Sequence, residues 1–516
     1  MKNRLSLGCE LVLILMLGVV ATGYPQQKTA GPDLEIKARL HFSDPQSWDP
    51  PKISRAADYF VAVNVFGFLV KYEPGSAKIR PDLAESWETR DGGRTIIFRL
   101  KKGVKWHKGY GDFTAEDVKF TLDRNMDKAT ASPYRGYFEP VQGVTVVDPY
   151  TIRVSFKGPY PIFLSAVLPW RPGMIYSKKA FQEMGETKFA KNPIGTGPYE
   201  FVQVTAEKKV ILQRNESYHG KPAQIKKVTL IPIPDETVAL MALEKRDVDF
   251  IWSRAMPEML RNLKKNPEIV VGVGEPVGMQ RLLFLNTRMK PLDDVRIRRA
   301  IAYAIDKKTL ASAFGDTHSP SHSTLHPLYE AYTADLAKYD FDLAKAKGLL
   351  AQAGYPNGFN TELIYSTREP DPTQAEILVE QLSKVGIKVT PVPLEHATWI
   401  KEYETGKRAM SLQGPARPPD PDLIYEEFLH SRSFPPNNKN FSFYKGVDDL
   451  IDQGKTEPDE SKRLAIYKRV QQRVAEDVPV IPLTNEHYAY AHWKEFKNFK
   501  MGLLNEFWFE ALTVQK

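Results

Sequence analysis

The chain has 516 residues, with 71 basic against 63 acidic side chains, 39 prolines and one cysteine. That length is roughly three domains' worth, and the two charge signs are interspersed without a long basic block, which argues against a nucleic-acid footprint. The single cysteine, Cys9, leaves no disulfide framework, and removal of its segment would exclude thiol catalysis as well.

Lys2 and Arg4 precede an apolar segment at 11–20, and Ala21, Thr22 and Gly23 offer small residues for cleavage. Residues 1–23 therefore read as a secretory signal peptide. The segment is too short for a convincing membrane span, and no comparable apolar run follows it. Export and a soluble mature protein are the expectation.

A strand is predicted over 35–42 and a helix over the apolar stretch 56–70. Asp91, Gly92 and Gly93 signal a hairpin turn before an alternating strand at 95–100. Thr114 and Asp117 stand three apart, a capping-box spacing that starts a helix over 118–124. A strand pair over 144–156 turns at Asp148 and Pro149. The run 192–199, with Gly195 and Gly197, is a tight turn into strands at 200–204 and 209–214. A strand at 228–233, a helix at 237–244 and a short strand at 248–250 follow.

Leu282, Leu283, Phe284 and Leu285 form an apolar run suited to a buried strand. Asp293 or Asp294 can cap the next helix, in which Ile297, Ala300, Ile301, Ala304 and Ile305 recur at helical spacing. Asp306 offers a second cap. Here the chain is expected to leave one lobe for another. Beyond it lie a helix at 341–352 ending on a left-handed Gly354, a strand at 361–366, a helix at 374–384 and a strand at 387–391. A helix at 461–475 and a strand at 480–483 complete an α/β alternation.

Several motifs occur in a fixed order: 81–87, 103–118, 195–199, Leu243 with Val248 and Asp249, 291–306, 344–354, 385–387, Asp420-Pro421-Asp422 and 479–483. In order and spacing they resemble the family 5 periplasmic solute-binding proteins, the dipeptide- and oligopeptide-binding components of ABC transporters. The resemblance implies an α/β, two-lobed periplasmic-binding-protein fold: a large discontinuous first lobe (34–280 and 484–516), an inserted second lobe (281–483) and two crossover hinge strands. Leu283, Phe284 and Asn286 would lie on one hinge strand, Ile481 and Leu483 on the other. It further implies a monomeric, cofactor-free, non-enzymatic receptor outside the cytoplasm. Such a receptor captures a peptide-like or other small polar solute by hinge closure and delivers it to a membrane permease.

Peptide-binding relatives place an aspartate three residues before Asp-Pro-Asp, where it pairs with the peptide amine. Arg417 stands there in this chain. It would repel an ammonium and suits a carboxylate or phosphate, unless it simply faces solvent. The motivated ligand is an anionic or modified solute. Trp252, Ser253, Tyr365, Arg368 and Gln413 are further candidates for cleft walls, each also readable as core or lobe surface.

Other patterns are weaker. Gly195-Thr196-Gly197 lacks the lysine and helix start of a phosphate loop, and Gly454-Lys455-Thr456 lacks the leading glycine. Ser442 and Lys445 match the S-x-x-K pattern of a secreted serine hydrolase without its companion motifs. His318, His322 and His326 have metal-like spacing, but Pro320 and Pro327 make the segment a loop; a metal or metallophore receptor is the alternative it would support. His107 reads as structural. Asp293-Asp294, Glu426-Glu427 and Asp448-Asp449 read as caps or solvated faces.

Overall fold

A computed structural model describes residues 34–515 except 41–46, 74, 254–256, 275–278, 416, 437, 500 and 505. The expected signal peptide and Cys9 lie outside the described residues, as does Phe42 at the end of the first predicted strand. No helix among the described residues is long and apolar enough to cross a membrane.

The first lobe is built on a seven-stranded sheet. Its strand order is Tyr199–Val204, Val210–Arg214, Lys227–Pro232, Glu35–Leu40, Phe250–Ser253, Ala489–Trp493 and Ile269–Val273. The strand that comes last in sequence thus sits inside the sheet. A four-stranded antiparallel sheet (84–156) packs into the same core. Arg39, fully buried, is held by the carbonyls of Ile233, Pro234 and Trp252 and by Glu236. That satisfies a charge that burial alone would penalise.

Helix α1 (Ala56–Val65) is apolar nearly all round and accordingly buried from Ala57 onward. The predicted helix was longer. Phe66 turns extended and short strands follow at Gly67–Phe68 and Val70–Tyr72. The reason is packing: the turn at Gly195–Gly197 lies against the end of α1. A Cβ at Gly195 would come 2.0 Å from the Val65 carbonyl oxygen, and Gly197 N–H donates to that oxygen at 2.8 Å. These glycines serve close backbone approach. His107 locks the turn, with its Nε2 3.0 Å from the Gly197 carbonyl. Burial lowers its pKa to about 4, so it is neutral. The capping box forms as expected, with Thr114 N–H on the Asp117 carboxylate at 3.0 Å.

The second lobe is a six-stranded sheet in the order His318–Pro320, Val480–Glu486, Gln280–Leu285, Met410–Gln413, Asn360–Ser366 and Lys388–Leu394. Leu283 and Leu285 face a core shared with α2 (Val295–Ala304) and α3 (Asp371–Ser383). Leu282 and Phe284 face the other side, against α4 (Pro421–Phe428) and α5 (Glu460–Asp477). A strand covered on both faces needs an uninterrupted apolar run, which accounts for this one. Asp294 and Asp306 cap their helices as predicted. Of the basic positions on α2, Arg298 is buried and donates to the Asp477 carbonyl, and Arg299 to that of Glu476. Both satisfy orphan carbonyls at the end of α5.

The lobes exchange chain at two adjacent crossings. Glu486 N–H donates to the Met279 carbonyl at 2.7 Å, and Gly274 N–H to that of Tyr488 at 2.8 Å. The return crossing is short: the Val480–Glu486 strand belongs to the second sheet and Ala489–Trp493 to the first. Leu283, Phe284, Ile481 and Leu483, expected at the hinge, are instead buried in the second sheet, the first three paired in its ladder and Leu483 at a bulge in it. Asn286 ends its strand, donating to the Gly406 and Arg408 carbonyls. The crossing residues are His487 and Tyr488 on the return, with Gly274 and Met279 flanking the outward passage. Beside them Arg281 is buried between Glu486 (2.8 Å) and Asp371 (2.9 Å).

Candidate functional site

A cavity of about 420 Å³ opens between the lobes. The first lobe supplies Tyr59, Tyr134, Tyr137, Trp170 and Arg171; the second supplies Arg417, Glu427 and Lys439; Met279 lies at the crossing. A second cavity of about 400 Å³ adjoins it, sharing Tyr137 and Glu427. Carboxylates dominate the charged lining of the second: Glu139, Asp422, Glu426 and Glu427 against Lys455. Aromatic walls with a few placed charges are the usual make-up of an enclosed ligand site.

Arg171 projects from an irregular segment and is gripped by rings. Its guanidinium lies 5.1 Å from the Tyr59 centroid and 5.6 Å from that of Trp170. Nη1 donates to the Ser54 carbonyl at 2.7 Å. Nε is buried without a hydrogen-bond partner. Trp170 is fixed edge-on by Tyr134, with centroids 5.1 Å apart. Glu506, buried nearby, has its pKa raised by burial, which favours the neutral acid.

Arg417 is held differently. It meets Glu427 in a two-point contact, Nε to Oε2 at 2.6 Å and Nη2 to Oε1 at 2.8 Å. Lys439 Nζ closes on the same carboxylate. Burial works against the Glu427 charge, yet Arg417 and Lys439 outweigh it and hold the pKa below the ordinary value. The bidentate carboxylate that Arg417 suits is thus one of the protein's own, from an acidic pair that sequence reasoning placed on a cap or solvated face.

The other expected contacts lie elsewhere. Trp252 is buried in the first core, edge-on to Tyr488 at 5.3 Å. Ser253 ends its strand opposite Ala489, and its side chain lies outside the described residues. Tyr365 is part of the second core. Arg368 is exposed beyond its strand. Gln413 is buried opposite Leu282, its Nε2 without a hydrogen-bond partner. None of the five is on the walls of these two cavities. Tyr59, Tyr134, Tyr137, Trp170 and Arg171 escaped sequence reasoning; a high aromatic content was their only signal.

The weaker motifs resolve as structure. Ser442 is fully buried and donates to Asn440 Oδ1 at 2.8 Å, while Lys445 is exposed. An S-x-x-K pair needs the two in contact, so a hydrolase reading has no geometric basis. His318 stacks on Phe314 at 4.3 Å, and burial takes it and His326 down to about 4; His322 is exposed. Among the described residues a different trio, Glu426, His430 and Asp452, brings possible ligand atoms within 4.8 Å of one another. Arg432 and Lys455 already pair with its carboxylates.

A model described as bacterial extracellular solute-binding proteins, family 5 middle, matches residues 78–435. The chain is 28% identical over 477 residues to heme-binding protein A of Haemophilus influenzae, covering 86% of this chain and 85% of that one. The ABC transporter-associated periplasmic binding protein DppA of Helicobacter pylori, in complex with peptide STSA, is 29% identical with a TM-score of 0.75, covering 94% and 99%. The solute-binding protein MoaA of A. tumefacien R10, in complex with mannopinic acid, is 29% identical with a TM-score of 0.75, covering 94% and 100%.

Proposed function

Because this chain belongs to the bacterial extracellular solute-binding proteins of family 5, we propose that it is the extracytoplasmic receptor of an ABC importer for a small anionic solute. The observation that carries the ligand class is the charge of the larger cavity, where Arg171, Arg417 and Lys439 converge and Glu427 is the carboxylate among them. A low-dielectric, ring-walled site with that excess selects an anion. Arg171 offers an unpartnered buried Nε, and Tyr59, Tyr134, Tyr137 and Trp170 cover the apolar part of the solute. The complex of MoaA with mannopinic acid, an acid held by a relative of matching fold, supports the same class.

Binding works by closure. A solute touching both lobes favours the closed form by the free energy of contacts that exist only there. The movement takes place at the crossings beside Met279 and Tyr488, between a first lobe of 34–280 with 484–516 and a second lobe of 281–483. Residues 1–23 direct export, and the mature receptor works as a monomer and delivers its solute to a permease. Titration calorimetry with mono- and dicarboxylates, acidic peptides and neutral dipeptides tests the reading. Acidic solutes should bind and neutral dipeptides should not; tight, specific binding of neutral dipeptides overturns it.

A further inference from the structure

Asp420 opens α4, the helix that also carries Glu427 into the cavity. Its carboxylate is saturated from within the protein. Oδ1 accepts the Asp422 N–H at 2.9 Å and Arg463 Nη2 at 2.6 Å; Oδ2 accepts Arg463 Nη1 at 2.9 Å. The remaining donor comes from the other lobe: the Ser165 hydroxyl donates to Oδ2. The Ser165 carbonyl in turn accepts the Tyr72 hydroxyl at 2.7 Å. Around this point the lobes interlock. Leu423, one turn into α4, is counted in the first lobe's core, and Tyr72 packs on a core of the second.

We propose that Ser165 is a positioning residue for closure, latching the first lobe to the N-terminus of α4 through Asp420. One end of α4 then senses the opposite lobe while the other holds Glu427, and with it Arg417, at the ligand. The helix is short and fixed at its start by the two-point Arg463–Asp420 contact, so engagement at one end sets the position of the other. The serine is suited to this task. Its hydroxyl adds a hydrogen bond to a charged acceptor that keeps its other donors when the lobes part. Opening therefore leaves no buried carboxylate bare, and the latch is reversible. The inference rests on the two-lobed reading and is independent of the charge of the solute.

The test uses the full-length mature protein without added solute. Pairs of spin labels, one on each lobe at exposed sites, report the interlobe distance distribution by pulsed electron resonance. Ser165→Ala should raise the ratio of open to closed forms by about tenfold, the weight of one hydrogen bond to a charged acceptor. Ser165→Thr, which keeps the hydroxyl, should restore the parent distribution. Thermal unfolding should be nearly the same in all three. An unchanged distribution in Ser165→Ala overturns the latch. So does an equal shift in the alanine and threonine variants, since that would assign the effect to packing. Failure of the anion panel described above would leave this result untouched, and the reverse also holds.

Discussion

Arg171 and Arg417 face one cavity from opposite walls, and they are held in opposite ways. Arg171 is fixed by aromatic faces, the Ser54 carbonyl and the Tyr134 hydroxyl, neutral groups that leave its charge uncancelled. Arg417 is fixed by a carboxylate that does cancel it, with Lys439 alongside. Rings orient a guanidinium while leaving its charge for a ligand; an acid orients it by consuming that charge. Among the described residues, the first lobe therefore supplies a cation without a carboxylate partner at this cavity, and the second supplies a balanced group whose balance a ligand can alter.

Substitutions can break this contrast in order of size. Arg171→Ala should cost the most affinity, about 2–5 kcal/mol for loss of a desolvated charge partner, while leaving the fold intact; calorimetry with the best acidic solute measures it. Arg417→Ala should cost stability as well as affinity, about 1–3 kcal/mol, because it strips a partner from part-buried Glu427. Denaturant melts of Arg417→Ala, Glu427→Ala and the double variant should show the double less impaired than the sum of the singles. If the three costs simply add, the pair is not coupled and the contrast fails.

Glu427→Gln makes the second arginine resemble the first. It should raise affinity for an anion by about tenfold, worth ~1.4 kcal/mol, while lowering stability. Acid should imitate it. The Glu427 pKa is below its ordinary value of 4.5 in the folded state. Its stabilising contribution is therefore fully present above that value and fades as pH falls through the lower, folded one. Melts between about pH 5 and 3 should show an acid-dependent loss in the parent that is smaller in Glu427→Gln. The smallest effect belongs to Arg368, exposed and away from both cavities: Arg368→Ala should change stability by no more than about 0.5 kcal/mol and leave solute affinity as it was.

Much of the fold could be read before any coordinates. Alternation, caps and the apolar run at 282–285 depend on local rules, and those rules held at Thr114, Asp294 and Asp306. Family motifs supplied the two-lobed plan. What escaped depends on contacts far apart in sequence. A buried strand with cores on both faces reads the same whether it is a hinge or the middle of a sheet, so the pairing and burial of Leu283 and Ile481 in the second sheet are not legible in the sequence. Arg171, Trp170, Tyr134 and Tyr137 come from a region of turns and short helices, where no period marks an inward side, and Tyr59 sits on a helix that is apolar nearly all round. The suitability of Arg417 for a carboxylate was legible; that Glu427 would meet it was not, since nine residues of irregular loop and helix separate them.

The place of the Ala489–Trp493 strand has a consequence for how the protein is made. It lies between Phe250–Ser253 and Ile269–Val273 in the first sheet, so the interior of the first lobe stays unfinished until residue 493 has left the ribosome. A domain whose pieces are contiguous can fold as it emerges. This one must wait through some two hundred residues of the second lobe, with two strands lacking their shared neighbour. An unfinished sheet suits the export proposed above, because a translocon threads what has not yet folded.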